Sequence, residues 1–192
     1  MAELWKRLRR VPDQLLHASR RRAALAGLTT RRPPARVLVI CSGNLYRSPF
    51  AAALLQRELP RQGRGEVVVE SAGFAGPGRR SPPHAVVAAA SWGVDLTGHT
   101  SQLAFADVVR AADIIVVMEE LHRRTIRERF GRAARDVLLL GDLDPEPVTS
   151  RAIEDPVQQG PEVCRHVFAR IERCIGQLAY ALQMAITSAS RR

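Results

Sequence analysis

An α/β fold is predicted for this chain: three layers, with a four-stranded parallel sheet flanked by helices, preceded by a basic N-terminal extension. Three observations predict it. Four short apolar or β-branched runs, Val37–Ile40, Val67–Glu70, Ile114–Met118 and Val137–Leu140, alternate with helical stretches, the order of a parallel sheet with right-handed crossovers on both faces. Ile114–Val117 and Val137–Leu140 are apolar without alternation, as strands covered on both sides are. The length, 192 residues, is that of one domain with a surplus.

The surplus lies at the start. Residues 1–34 hold nine basic side chains against Glu3 and Asp13, whereas residues 35–192 hold twenty against seventeen. Most of the formal charge of +10 therefore belongs to the extension, and the rest is too diffuse to indicate a specific nucleic-acid partner. The segment ends in Thr29–Pro34, whose two prolines disfavour helix and mark the boundary between the extension, 1–34, and the domain, 35–192. Leu4, Leu8 and Val11 share a helical face ringed by Lys6, Arg7, Arg9 and Arg10. Pro12 is expected to break that helix, with Asp13 capping a second one through Leu28. Such a basic amphipathic piece can rest weakly on an anionic membrane surface; a helix packed on the domain, a solubilising arm and an over-long translation start are the other readings.

Helical stretches follow at Pro49–Leu59, His84–Trp92, Glu119–Phe130 and Pro161–Ile186. The last carries Val163, Val167, Ile171, Ile175, Leu178, Leu182 and Ile186 at three- and four-residue spacing, a buried helix face. At 46% hydrophobic and 25% charged residues, the chain is neither a disordered polymer nor one with a long apolar membrane span. No secretory signal is visible, since Ala23–Leu28 is too short for one. Three cysteines, Cys41, Cys164 and Cys174, are too few and too odd in number for a disulfide framework, which favours a reducing cytoplasm. Cys164 and Cys174, ten residues apart on one helix, are too distant to pair with each other.

The segment Arg36–Leu55, RVLVICSGNLYRSPFAAALL, carries the chemistry. A buried strand delivers Cys41 to the carboxyl edge of the sheet, a tight loop follows, and Ser48 and Pro49 are expected as N-cap and first residue of a helix. Inward-pointing loop amides and the positive helix end form a cradle for a tetrahedral oxyanion. Arg47 adds a planar fork for two of its oxygens, and in that field Cys41 becomes a thiolate nucleophile.

CSGNLYRSP resembles the signature loop of the low-molecular-weight protein-tyrosine phosphatases, and the resemblance covers residues 36–186. GEVVVESAG, SPPHAV, GVDLTGHTSQL, ADIIVVMEELHRRTI and IEDPVQQGPEVCRHVFARIERCI are similar to the family's later segments. It implies a hydrolase of phosphorylated proteins or small phosphomonoesters that works through a cysteinyl-phosphate, with neither metal nor cofactor. Cys41 would be the nucleophile, Arg47 and the loop Ser42, Gly43, Asn44, Leu45, Tyr46, Arg47 and Ser48 would hold the phosphate, and Asp155 would be the general acid. Ser48 would also donate to the thiolate. Asn44, Ser48, Ser71 and His99 would support the loop.

Asp144, in a second Asp-Pro pair, competes for the acid role; Asp155, just before the last helix where the family keeps its acid, is favoured, leaving Asp144 in a solvated turn. His84, His122 and His166 are expected as surface or packing residues, and Arg123, Arg124, Arg127 and Arg129 as a solvated helix face. Tyr46 stands where many members carry a second, protective cysteine, and Phe74 alone offers an aromatic ring in the segment Gly73–Arg80. Rival readings are a protein-arginine phosphatase, opposed by bulky Leu45 where that branch has a small threonine, an arsenate reductase, and a non-catalytic phosphate-binding module. Oligomeric state is not legible.

Overall fold

The computed structural model describes residues 2–30, 32–59 and 67–190. Its elements are α1 (Ala2–Thr29), β1 (Arg36–Cys41), α2 (Arg47–Glu58), β2 (Val68–Gly73), α3 (Pro83–Ala90), α4 (Ala106–Ala111), β3 (Ile114–Val117), α5 (Glu120–Phe130), β4 (Val137–Leu139) and α6 (Pro161–Ser190). The four strands pair in parallel in the order β2-β1-β3-β4. From β1 the chain goes first to β2 on one side, then to β3 on the other. The carboxyl end of β1 is thus the topological switch point, where open α/β sheets bind their ligands, and Cys41 is its last residue.

Alternate residues of β1 serve opposite layers. Val37, Val39 and Cys41 join the core under α2, α3 and α6, while Leu38 and Ile40 join Val109 of α4 and Ile126 of α5 on the other face. In the first layer Phe50 stacks on Phe168 at 4.0 Å between ring centroids, with Trp92 edge-on to Phe50 at 5.7 Å. These rings pin α2, and with it the loop that opens it, to α6. No described helix is long and apolar enough to cross a membrane.

Three expectations need correction. Helix α1 runs unbroken through Pro12. A missing N–H removes one backbone bond, while tertiary contacts hold the second half: His17 Nε2 meets Asp144 O at 2.9 Å, Arg21 donates to Gln177 at 2.5 Å, and Leu28 is buried. The side chains of residues 1–12, the Leu4, Leu8 and Val11 stripe included, lie outside the described residues. Asp144 is not solvated but 1% exposed; it pairs with Arg170 at 2.9 Å and Arg173 at 3.4 Å, the compensation a buried carboxylate needs. Ser48 does not cap α2: the cap position is Tyr46, without a side-chain bond, because the Ser48 hydroxyl is engaged at Cys41.

Candidate active site

Between β1 and α2 the loop turns through Asn44, whose φ is +53°, a left-handed conformation that asparagine tolerates better than most side chains. Its side chain holds the turn. Asn44 Nδ2 donates to Ser48 Oγ and Ser71 Oγ, both at 2.9 Å, and Oδ1 accepts from the Gln102 amide at 2.8 Å. Outside the loop, Gly73 allows close passage: a Cβ there would stand 2.8 Å from Asn44 N and from Ser42 O.

Three loop carbonyls are tied outward. Ser42 O accepts from the amides of Phe74 (2.8 Å) and Ala75 (3.2 Å), Asn44 O pairs with His99 Nε2 (2.7 Å), and Leu45 O accepts from Ser81 Oγ (2.8 Å). In a planar trans peptide the following N–H points the opposite way, so the amides of Gly43, Leu45 and Tyr46 turn inward. Cys41 Sγ lies 3.1 Å from Ser48 Oγ and 3.2 Å from the Asn44 amide. The Asn44 amide is a donor aimed at that sulfur.

Arg47, the first residue of α2, is 1% exposed. Nη1 donates to Glu119 at 2.5 Å and to Ile153 O at 3.0 Å; Nη2 donates to Ser42 Oγ at 3.3 Å and to Asp155. Nε is buried with no partner among the described residues, so it is the donor of the fork left for a further acceptor, with Nη2 beside it shared between Ser42 and Asp155. The segment bearing Asp155 is anchored to the end of β3 by Ile153 N to Met118 O at 2.8 Å. Ser42 Oγ also meets His122 Nε2 at 3.0 Å, and burial pushes that imidazole down from its ordinary range.

These groups line one cavity of about 220 Å³ that holds Cys41, Ser42, Gly43, Arg47 and Asp155, with Leu45, Tyr46, Ala75 and Val157 as its apolar lining and Arg79 as a further charge. A larger cavity, about 420 Å³, lies between α1 and β4, but no loop residue reaches it. Ser71 and His99 stand behind the loop rather than in the cavity. Phe74 is turned toward His122, 5.5 Å between rings. Asp144 is engaged with α6, away from Cys41. Cys164 and Cys174 are unpaired and buried on α6, where burial pushes their thiols up to about 11 and about 12. Among the described residues no three of His, Cys, Asp and Glu group as metal ligands.

Sequence reasoning missed Glu119, His122 and Arg79 at the site. Glu119 follows the sheet's β3 by two residues, and residues just past neighbouring parallel strands meet at the switch point; that rule could have found it.

The chain is thus a three-layer α/β protein with a Cys-x5-Arg-Ser loop at the carboxyl edge of its parallel sheet. The family described as low molecular weight phosphotyrosine protein phosphatase matches residues 36–188. The chain is 35% identical over 147 residues to the low molecular weight protein-tyrosine-phosphatase Wzb of Escherichia coli (strain K12), covering 76% of this chain and 94% of that one. Its fold is similar to the YwlE arginine phosphatase from Geobacillus stearothermophilus, with a TM-score of 0.69 and 31% identity over 80% of this chain and 96% of that one. It is also similar to the tyrosine phosphatase Wzb from Escherichia coli K30 in complex with sulphate, with a TM-score of 0.68 and 28% identity over 77% and 97%. The chain belongs to the low molecular weight phosphotyrosine protein phosphatase family and is a hydrolase of that type.

Proposed function

We propose that this hydrolase acts on phosphotyrosine in proteins, and on small aryl phosphates, through a phosphocysteine at Cys41. The observation that supports this reading is the convergence of Cys41, Arg47 and Asp155 on one cavity with a partly apolar lining. The Cys41 thiolate attacks phosphorus in line; an S–P bond forms as the bond to the leaving oxygen breaks, and Asp155 gives that oxygen its proton. Arg47 Nε and Nη2 and the amides of Gly43, Leu45 and Tyr46 hold the equatorial oxygens, where charge concentrates in the transition state. A bound oxyanion competes with Asp155 for Nη2, which frees the carboxyl for the leaving group. Water then attacks the phosphocysteine, Asp155 takes the water's proton, and the thiolate leaves with phosphate released. Asn44, Ser48, Ser71 and His99 hold the loop and carry no chemistry of their own.

The fold shared with an arginine phosphatase favours phosphoarginine as the second reading, and Leu45 in the cavity lining weighs against seating a guanidinium there. Turnover of phosphotyrosine, phosphoarginine and an aryl phosphate side by side separates them, with arsenate reduction as control. Phosphotyrosine and the aryl phosphate should be hydrolysed and Cys41→Ser should abolish both; phosphate binding without turnover would leave a binding module.

Two further proposals concern place and partner. Three unpaired cysteines support a reducing, cytoplasmic setting. Weak contact of residues 1–34 with anionic membrane surfaces is supported by their charge and by the exposure of Leu15 and Leu16 on α1. The full chain should pellet with anionic but not zwitterionic vesicles, reversibly in salt; equal pelleting would remove the idea.

A further inference from the structure

Three charged side chains line the Cys41 cavity: Arg47, Asp155 and Arg79. The first two pair with each other, and Arg47 also pairs with Glu119. Arg79 has no ion pair among the described residues. Its Nε donates to Gly76 O at 2.9 Å and its Nη2 to Ala75 O at 3.4 Å, two weakly compensating backbone acceptors for a group with five donors.

The position is nevertheless built. Arg79 exchanges backbone bonds with Ser101, its N donating to Ser101 Oγ at 3.0 Å and its O accepting from Ser101 N at 2.8 Å. Ser101 Oγ in turn donates to Gly76 O at 2.6 Å. The guanidinium lies over Gly76, whose φ is +62° and where any Cβ would collide with it. It also reaches the catalytic loop: a Cβ on Gly43 would stand 3.2 Å from Nη2, and Gly43 is two residues past Cys41. A fixed, exposed cation at the side of a phosphate cradle is matched by a second anion on the substrate. An isolated aryl phosphate has none, whereas the residue next to a phosphotyrosine lies within about 3.8 Å of it, Cα to Cα.

We propose that Arg79 is a specificity-determining residue that pairs with a carboxylate flanking the phosphorylated tyrosine, so that acidic phosphotyrosine peptides are the preferred substrates. The assignment rests on the hydrolase reading above. Being exposed, the pair should favour its substrate by about threefold and weaken with salt.

The test compares kcat/KM for two phosphotyrosine peptides that differ only in Glu or Gln at the flanking positions. The Glu peptide should lead by about threefold in the wild type. The ratio should fall to about one in Arg79→Gln and persist in Arg80→Gln, since Arg80 donates instead to Thr97 O and does not line the cavity. A ratio near one in the wild type, or one that survives Arg79→Gln, overturns the assignment; uniform loss on both peptides in Arg79→Gln does the same, because it means that the guanidinium contacts the phosphate itself. Failure of the wild type to hydrolyse either peptide or an aryl phosphate overturns the hydrolase reading, and this assignment with it.

Discussion

Glu119 Oε1 lies 2.5 Å from Arg47 Nη1, and Arg47 is almost wholly buried. The carboxylate just past β3 thereby sets the roll of the guanidinium, leaving Nη2 on Ser42 and Asp155, which line the cavity. Glu119→Gln retains an acceptor but not the charge. It should lower kcat/KM for an aryl phosphate by about tenfold, the worth of one charge-assisted bond. The loss of stability should be only about 1 kcal/mol, since Glu119 is partly exposed. Steady-state kinetics together with a thermal melt check both; unchanged kinetics would leave Glu119 a purely structural partner.

Two Asp-Pro pairs are separable by experiment. Asp155→Asn should reduce kcat for phosphotyrosine by about 10²–10⁴-fold, and much less for a nitrophenyl phosphate, whose leaving group needs little protonation. Asp144→Asn should instead cost about 3 kcal/mol by stranding Arg170 beside a neutral partner. Its kcat should be close to that of the wild type. A leaving-group series and a denaturant titration on each variant decide the matter.

Burial is the largest influence on His122 and pushes it down; the Arg47 charge adds to this, while Glu119 and Asp155 oppose it. The folded state therefore takes up less proton than the unfolded chain below about pH 6.5. The neutral imidazole's contribution to stability is complete above that pH and is lost as pH falls toward the folded value. His122→Gln should flatten the fall in the denaturation midpoint below pH 6.5, measured against wild type at each pH. Parallel curves would contradict this.

Strands and loop were legible because their signals are local. Apolar runs without alternation mark covered strands, and Cys41 to Pro49 is contiguous. What was hidden depends on tertiary placement. Glu119 and Arg47 meet only because β3 lies beside β1, and Phe74 packs against His122 without lining the cavity. Asp144 reads as a turn until α1 and α6 close over it. Ser48 has the chemistry of a cap, yet Cys41 and Asn44 compete for its hydroxyl and win. The six-residue α4 is too short to show a period.

The three thiols differ by position. Cys164 and Cys174 are held protonated by burial, while Cys41 opens on the cavity. Native protein treated with iodoacetamide near neutral pH should gain a single adduct, at Cys41, suppressed by inorganic phosphate; denatured protein should gain three. Mass spectrometry of the digest counts them, and labelling of Cys164 or Cys174 in the native state would contradict their placement.

Rapid-quench trapping of the enzyme during turnover of an aryl phosphate decides whether Cys41 carries the phosphoryl group. Phosphate should appear on Cys41 within the first turnover and be absent in Cys41→Ser, which should also be inactive. Hydrolysis that persists in Cys41→Ser, or phosphate found on any other residue, would contradict the account.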